Sequence, residues 1–295
     1  MTYLSGGGVV ARSLRGMRRS PKAMVAAAVC VLLLLAAIFA PLIAPQNPYD
    51  LTAIDFFDAK LPPGSAGTTG ITYWLGTDIQ GRDMLSAMLY GLRTSLFVGL
   101  TAGVLALLTG TALGLAAAYA GGRTDTLIMR FVDLMLGFPA ILVALMILVI
   151  FGQGTWKVIL ALVFVQWAYF ARAMRGAALV ESGKDYIEAA RCLGLSPVRI
   201  LASHILPNCL PPLIVIGTIQ VAHSIAAEAT LSFLGIGLPI TEPSLGLLIA
   251  NGYQVLLAGT YWMSVYPGVL LLVLVFSINV VGDRLREILN PRLAA

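Results

Sequence analysis

Apolar residues fill long runs along this chain, and polar residues gather in short stretches between them. The first run, residues 24–44, is long enough at ~1.5 Å per residue to cross a hydrocarbon core of ~30 Å. It follows a basic arm, residues 1–23, that carries Arg12, Arg15, Arg18, Arg19 and Lys22. A secretory signal has the same layout but a shorter apolar region, so the run reads as an uncleaved span. Pro41, Pro45 and Pro48 end it. Residues 45–95 then read as an extended linker outside the membrane, leading into an amphipathic helix. Thr77 and Gln80 have capping-box spacing. After them Met84, Leu85, Met88, Leu89 and Leu92 oppose Arg82, Asp83 and Ser86, a pattern that predicts a helix lying along the membrane surface.

The remaining core, residues 96–284, divides into further spans. The second, residues 96–119, carries Gly99, Gly103, Gly110 and Gly114 at intervals of four, seven and four, which sets them on one helix face for close approach by a neighbour. Gly121 to Asp125 is a tight turn. A third span, residues 127–151, contains Pro139, which predicts a kink. A short fourth covers 158–173, a fifth 210–234 and a sixth 263–281. Residues 245–258 are apolar but too short to cross, and read as an interfacial or re-entrant segment. A seventh span is the alternative, and charge decides against it. With six spans and both ends inside, only Lys60, Arg82, Arg93 and Lys157 of the 19 Lys and Arg fall outside. A seventh span would send Arg284, Arg286 and Arg292 of the tail, residues 285–295, across the membrane.

The most polar stretch of the second half, 184–207, interrupts this pattern. A helix is predicted from about Asp185 to Leu193, ended by Gly194 in the left-handed conformation. Ser196 suits an N-cap and Pro197 the first helical position. A second helix then runs to about Leu206, where Pro207 ends it. The pattern is a helix-turn-helix between two spans.

Composition supports this picture. Of 295 residues 59% are hydrophobic and 11% charged, and the mean hydropathy is +0.90, too apolar for a soluble domain of this size. Cys30, Cys192 and Cys209 suggest no disulfide framework. The only histidines are His204 and His223, so no metal-ligand cluster is evident. A phosphate-binding loop ending at Gly183-Lys184 would need glycine at 178 and a hydroxyl at 185, where Ala178 and Asp185 stand. No hydrolytic constellation is readable, and the chain is not expected to be an enzyme by itself.

Polar residues that fall in or near spans are Asp133, Gln166, Gln220, His223, Glu228 and Asn279. Such groups usually face a bundle interior or an aqueous path. Asp133 is expected to pair with Arg130, one helical turn away. Glu228, with His223, Gln220 and Pro139, is a candidate for a path, and a structural hydrogen bond is the other reading of Glu228.

Glu188-Ala189-Ala190, then Gly194, then Leu206-Pro207, has the spacing E-A-A-x3-G-x11-L-P and resembles the EAA loop of bacterial ABC-importer permeases. His204 stands where the general pattern has an apolar residue, and H-x-L-P-N resembles the dipeptide/oligopeptide branch. Further resemblances to that branch's C-type subunit are L-G-T-D-x2-G-R-D from Leu75, G-L-R-T-S-L from Gly91, E-A-T-L-S-F-L-G-I-G from Glu228, P-S-L-G from Pro243, Y-P-G from Tyr266 and the tail from Gly282. Asn290 replaces an acid in that tail.

The resemblance implies an all-α polytopic membrane protein of six spans in a bacterial inner membrane, with both termini cytoplasmic. It implies a heterodimer with a second permease subunit, two cytoplasmic ATPase subunits that carry ATP and magnesium, and an extracytoplasmic substrate-binding protein. It implies no cofactor on this chain and no nucleic acid. Glu188, Ala189, Ala190, Gly194, Ser196, Pro197, His204, Leu206 and Pro207 would form the coupling loop. The small Ala189 and Ala190 would let the ATPase approach. The implied cargo is a di- or oligopeptide. The alternatives are nickel import by the same branch, an ion-coupled secondary transporter, for which no internal repeat is visible, and a membrane scaffold without transport.

Overall fold

Ser20 starts the first long helix among the described residues, α1 (Pro21–Ile38). Its hydroxyl accepts from the Ala23 amide, and Pro21 sits in the first turn, where no amide donor is needed. This computed structural model describes residues 16–17, 20–50, 54–68 and 70–289. Arg12, Arg15, Arg18, Arg19 and the tail from Asn290, with Arg292, lie outside the described residues. The predicted first span is shorter than expected. It stops at Ile38, and a separate turn, α2 (Ala40–Ile43), follows because Pro41 cannot continue the amide ladder.

The predicted extended linker is folded. Two short antiparallel strands, β1 (Ser65–Ala66) and β2 (Thr72–Tyr73), pair Ser65 with Tyr73. The surface helix and second span are one continuous helix, α3 (Met84–Ala120), of 37 residues. Thr77 does not cap it. Asp83 does, accepting from Ser86 N at 2.8 Å, while the Thr77 hydroxyl is taken by Asp58 O and Leu61 N. At ~1.5 Å per residue α3 spans ~55 Å, more than a bilayer core, and its first turns are not a surface helix: Met84, Ala87 and Met88 are buried against Leu248, Trp262 and Met263, with Leu75 and Ile79 of the preceding loop beside them.

Pro139 does more than kink its span. Helices α4 (Gly122–Gly137) and α5 (Ala140–Phe151) meet at 92°. Phe138, the residue before the proline, is extended at φ −94° and ψ 144°, where a proline pushes its predecessor. Helix α6 (Thr155–Ser182) is longer than the predicted fourth span because its last turns hold inward-facing residues, among them Met174, Ala178 and Glu181. The loop helices α7 (Asp185–Cys192) and α8 (Pro197–Ile200) follow. Pro207 does not end the second arm. A π-helical turn, Leu201–Ile205, carries α8 straight into α9 (Leu206–Phe233). The wider turn accommodates Pro207, whose missing amide would otherwise strand a carbonyl of the preceding turn, while Pro211 and Pro212 lie inside α9. The segment too short to cross forms α10 (Leu245–Gln254) and a 3-10 turn, Leu256–Ala258, before α11 (Trp262–Leu289).

Among the described residues five helices are long and apolar enough to cross a membrane, or six if the bent α4–α5 pair counts as one span. The protein is an all-α polytopic membrane protein. Helix α3 runs through the middle and packs on α6 and α9, with α1 and α11 outside. One apolar cluster joins α3, α5, α6 and α9 around Val98, Leu148, Ile159, Leu162 and Leu231. The start of the described chain lies against the last turns of α11. There Arg284 Nη2 donates to Gly16 O at 3.0 Å.

Candidate functional site

The loop between α6 and α9 has an inner and an outer face. Ile187, Ala190, Ile200 and Ile205 are buried, seated on Phe170, Met174 and Ala178 of α6 and on Cys209 and Leu213 of α9. Ala190 therefore faces the chain's own core, contrary to the expectation that it lets a partner approach; its small size serves packing within the chain. Ala189 and Glu188 are exposed. Glu188 lies in the first turn of α7, where its charge suits the helix dipole, but no side chain caps that helix. Gly194 has φ +72°, left-handed as its position after a helix requires, and open space around its α-carbon. Ser196 is the extended N-cap of α8 and Pro197 lies in its first turn, although the serine hydroxyl makes no capping bond. Around this turn Leu193 is 80% and Val198 74% exposed.

His204 sits in the π-turn, and Leu206 and Pro207 open α9. Behind them runs a chain of hydrogen bonds that sequence reasoning missed. Glu181, buried in the last turn of α6, accepts from Lys184 Nζ at 2.6 Å and from the Tyr186 hydroxyl. The Tyr186 oxygen accepts from Asn208 Nδ2 at 3.0 Å, and the same nitrogen donates to His204 O at 2.7 Å. Burial, with the carboxylate beside it, pushes the Tyr186 phenol up to about 12, so it remains a donor. The available signal was Asn208, an amide in the first turn of an apolar helix directly after a proline.

The polar residues in the spans do not converge on one cavity. Gln220, Ser224 and Glu228 share one face of α9, turned into the bundle. Ser224 Oγ donates to Gln166 Oε1 on α6 at 2.9 Å. Glu228 is fully buried and accepts from Ser95 on α3 at 2.7 Å and Ser232 at 2.8 Å. Ser244, the N-cap of α10, also hydrogen-bonds it. His223 lies to one side of that face and is exposed, and Pro139 is exposed at the α4–α5 break. Asp133 pairs with Arg172 of α6, not with Arg130 as expected: the tertiary neighbour takes the carboxylate.

The glycine face of α3 meets two helices. Gly99 and Gly103 lie against Ile225 and Val221 of α9, and Gly110 and Gly114 against the backbone of α6 at Trp167 and Ala171. At the opposite end of the bundle from α7, buried polar contacts order the loop before α3. Asp58 accepts from Thr68 N and Tyr73 Oη, each at 2.9 Å, and Asp78 pairs with Arg82 at 2.6 Å with both side chains buried.

Residues 110–295 match the family described as binding-protein-dependent transport system inner membrane component, and residues 10–63 match the N-terminal TM domain of oligopeptide transport permease C. The chain is 42% identical over 265 residues to a Brucella suis protein named for a peptide transport system permease, covering 89% of this chain and 85% of that one. It is 36% identical over 264 residues to the di/tripeptide transport system permease protein DppC of Pseudomonas aeruginosa, with 89% and 86% covered. To the oligopeptide transport system permease protein OppC of Bacillus subtilis it is 35% identical over 278 residues, with 94% and 87% covered. Among solved structures, a chain of the inward-facing MetNI methionine ABC transporter superposes with a TM-score of 0.56 at 22% identity, over 70% of this chain and 97% of that one.

Proposed function

For this chain, which belongs to the family of binding-protein-dependent transport system inner membrane components, we propose the role of a permease subunit that forms half of a path for di- or oligopeptides and is driven by ATPase subunits docking on the loop 184–207. The relatives' names support peptides as the cargo over nickel. The reading puts both chain ends and the loop in the cytoplasm, a second permease beside this one, and a substrate-binding protein at the end that carries β1 and β2. ATP and magnesium stay on the ATPase subunits.

The observation that carries the reading is the two-sided loop. Its inner face is seated on α6 and α9. Its outer face presents Leu193 and Val198, both largely uncovered, beside the exposed Glu188, Arg191 and Arg199. An apolar pair rimmed by charge and held outside the membrane is a surface that gains by being covered by another protein. His223 fits the same scheme. A histidine on the outer face of a spanning helix is costly against lipid, so this face of α9 turns to the path or the second permease.

In this mechanism the chain supplies no chemistry. ATPase closure displaces α7 and α8, and the spans follow between outward- and inward-facing states. Free energy enters only through contacts that differ between those states. The test combines Leu193→Asp, Glu188→Lys and Gly194→Val. Each should leave the subunit in the membrane and abolish peptide uptake, with Leu193→Asp losing co-purification of the ATPase. Wild-type uptake in all three would defeat the coupling role. Loss of all three from the membrane would make the loop a folding element only.

A further inference from the structure

Both joints that connect the loop to the spans are soft. Between α6 and α7 lie only Gly183 and Lys184, outside any helix. Between α8 and α9 lies the π-turn, followed by a helix start stripped of amide donors at Pro207, Pro211 and Pro212. A push on the outer face of the loop would be absorbed at these joints unless something tied the loop to both spans at once.

The chain of bonds through Tyr186 does this. It starts on α6 at Glu181, crosses α7 at the Tyr186 hydroxyl and ends on α9 at Asn208, which also holds the His204 carbonyl inside the π-turn. Glu181 is only 7% exposed, and it is shielded further by Lys184. The apolar seat beneath the loop resists compression but does not fix rotation. Directional hydrogen bonds to a charged acceptor do, and they are the stronger kind.

We infer that Glu181, Tyr186 and Asn208 are positioning residues, a polar strut that makes α6 and α9 move together when the coupling loop is displaced. The inference rests on the coupling role proposed for the loop. It assigns a separate task to residues that join the loop to its two spans through a carboxylate too buried for an ATPase to touch.

The experiment uses the whole complex in proteoliposomes, with the binding protein loaded with a radiolabelled dipeptide mixture. It reads peptide moved per ATP hydrolysed, a ratio that does not change if a variant merely lowers the amount of folded complex. Tyr186→Phe removes one hydroxyl and breaks the strut at its centre. It should keep wild-type co-purification of the ATPase and lower the ratio roughly fivefold, the factor that one net hydrogen bond corresponds to. Asn208→Ala should act alike, and the double variant should be no worse than either single one, because both cut the same connection. Glu181→Gln keeps an acceptor for the phenol and should retain most of the ratio, whereas Glu181→Ala should not. An unchanged ratio in Tyr186→Phe, or additive losses in the double variant, would overturn the strut. So would loss of ATPase binding in Tyr186→Phe. Leu193→Asp in the same assay reports separately on docking: if it retains the ATPase, the docking face is wrong, whatever the ratio shows for the strut.

Discussion

Gly110 and Gly103 lie on the same face of α3, yet an added methyl group should have different consequences at the two. A Cβ at Gly110 would stand 2.6 Å from Phe170 Cβ and 3.0 Å from Ala171 N, and nearer still to the Trp167 carbonyl oxygen. Two of those three neighbours are backbone atoms of α6, so no side-chain rotation can relieve the overlap. The seam between α3 and α6 would have to open by about 1 Å to restore ordinary contact, and much of the dispersion energy along it would be lost. Overpacking of this kind costs about 3 kcal/mol, against a helix-propensity gain of roughly 0.5–1 kcal/mol for Gly→Ala. At Gly103 the nearest atom is the Val221 Cγ2 methyl at 2.8 Å, the end of a side chain, and the backbone of α9 is 3.9 Å away at Val221 Cα. A rotamer change there should hold the net cost below ~1 kcal/mol. Thermal unfolding of the purified subunit in detergent should show Gly110→Ala melting roughly 6 °C or more below wild type and Gly103→Ala within ~2 °C of it. A Gly110→Ala protein as stable as wild type, or one that outlasts Gly103→Ala, would refute the close-contact reasoning.

Orientation can be checked with the exposed native Cys192: an impermeant maleimide added to sealed cells should miss it but label S65C, and inside-out vesicles should reverse the pattern. Asp78→Ala leaves Arg82 buried without its partner, which should cost about 3–5 kcal/mol and be read as faster proteolysis of the loop before α3 in the intact complex. For Tyr186 the folded pKa, about 12, lies above the ordinary 10. The neutral phenol is therefore favoured by the fold, and its contribution is complete below pH ~10 and lost as pH rises through about 12. Difference absorbance between wild type and Tyr186→Phe should show one phenolate appearing near pH 12, and an ordinary titration near 10 would remove the hydrogen bond to Glu181 from the account.

That apolar helices follow one another with polar breaks between them was legible in the sequence, because a spanning helix needs only a long enough run of apolar side chains; their number was not, since the surface helix and second span are one helix and the third span is two. The break after α7 was equally local: Gly194 takes a left-handed conformation that glycine alone adopts without strain, and Pro197 pre-sets a helix start. The spacing of Glu188, Gly194 and Leu206-Pro207 carried the family, which the comparisons bear out. What tertiary structure decided was how far each helix runs and which partner each polar group takes. Asp83 caps α3, and Gln46 accepts from its amide at 2.8 Å, a pairing across the folded loop that spacing does not record. Pro207 continues a helix because a π-turn absorbs its missing amide, and Pro139 breaks one by 92°. Asp133 chose Arg172 over the Arg130 one turn away, and Ala190 turned inward onto α6 and α9 while Ala189 faces out. The strut from Glu181 through Tyr186 to Asn208 joins residues from three helices. Local sequence sets conformation and burial preference over a turn or two, whereas hydrogen-bond partners are set by which helices the membrane packs side by side.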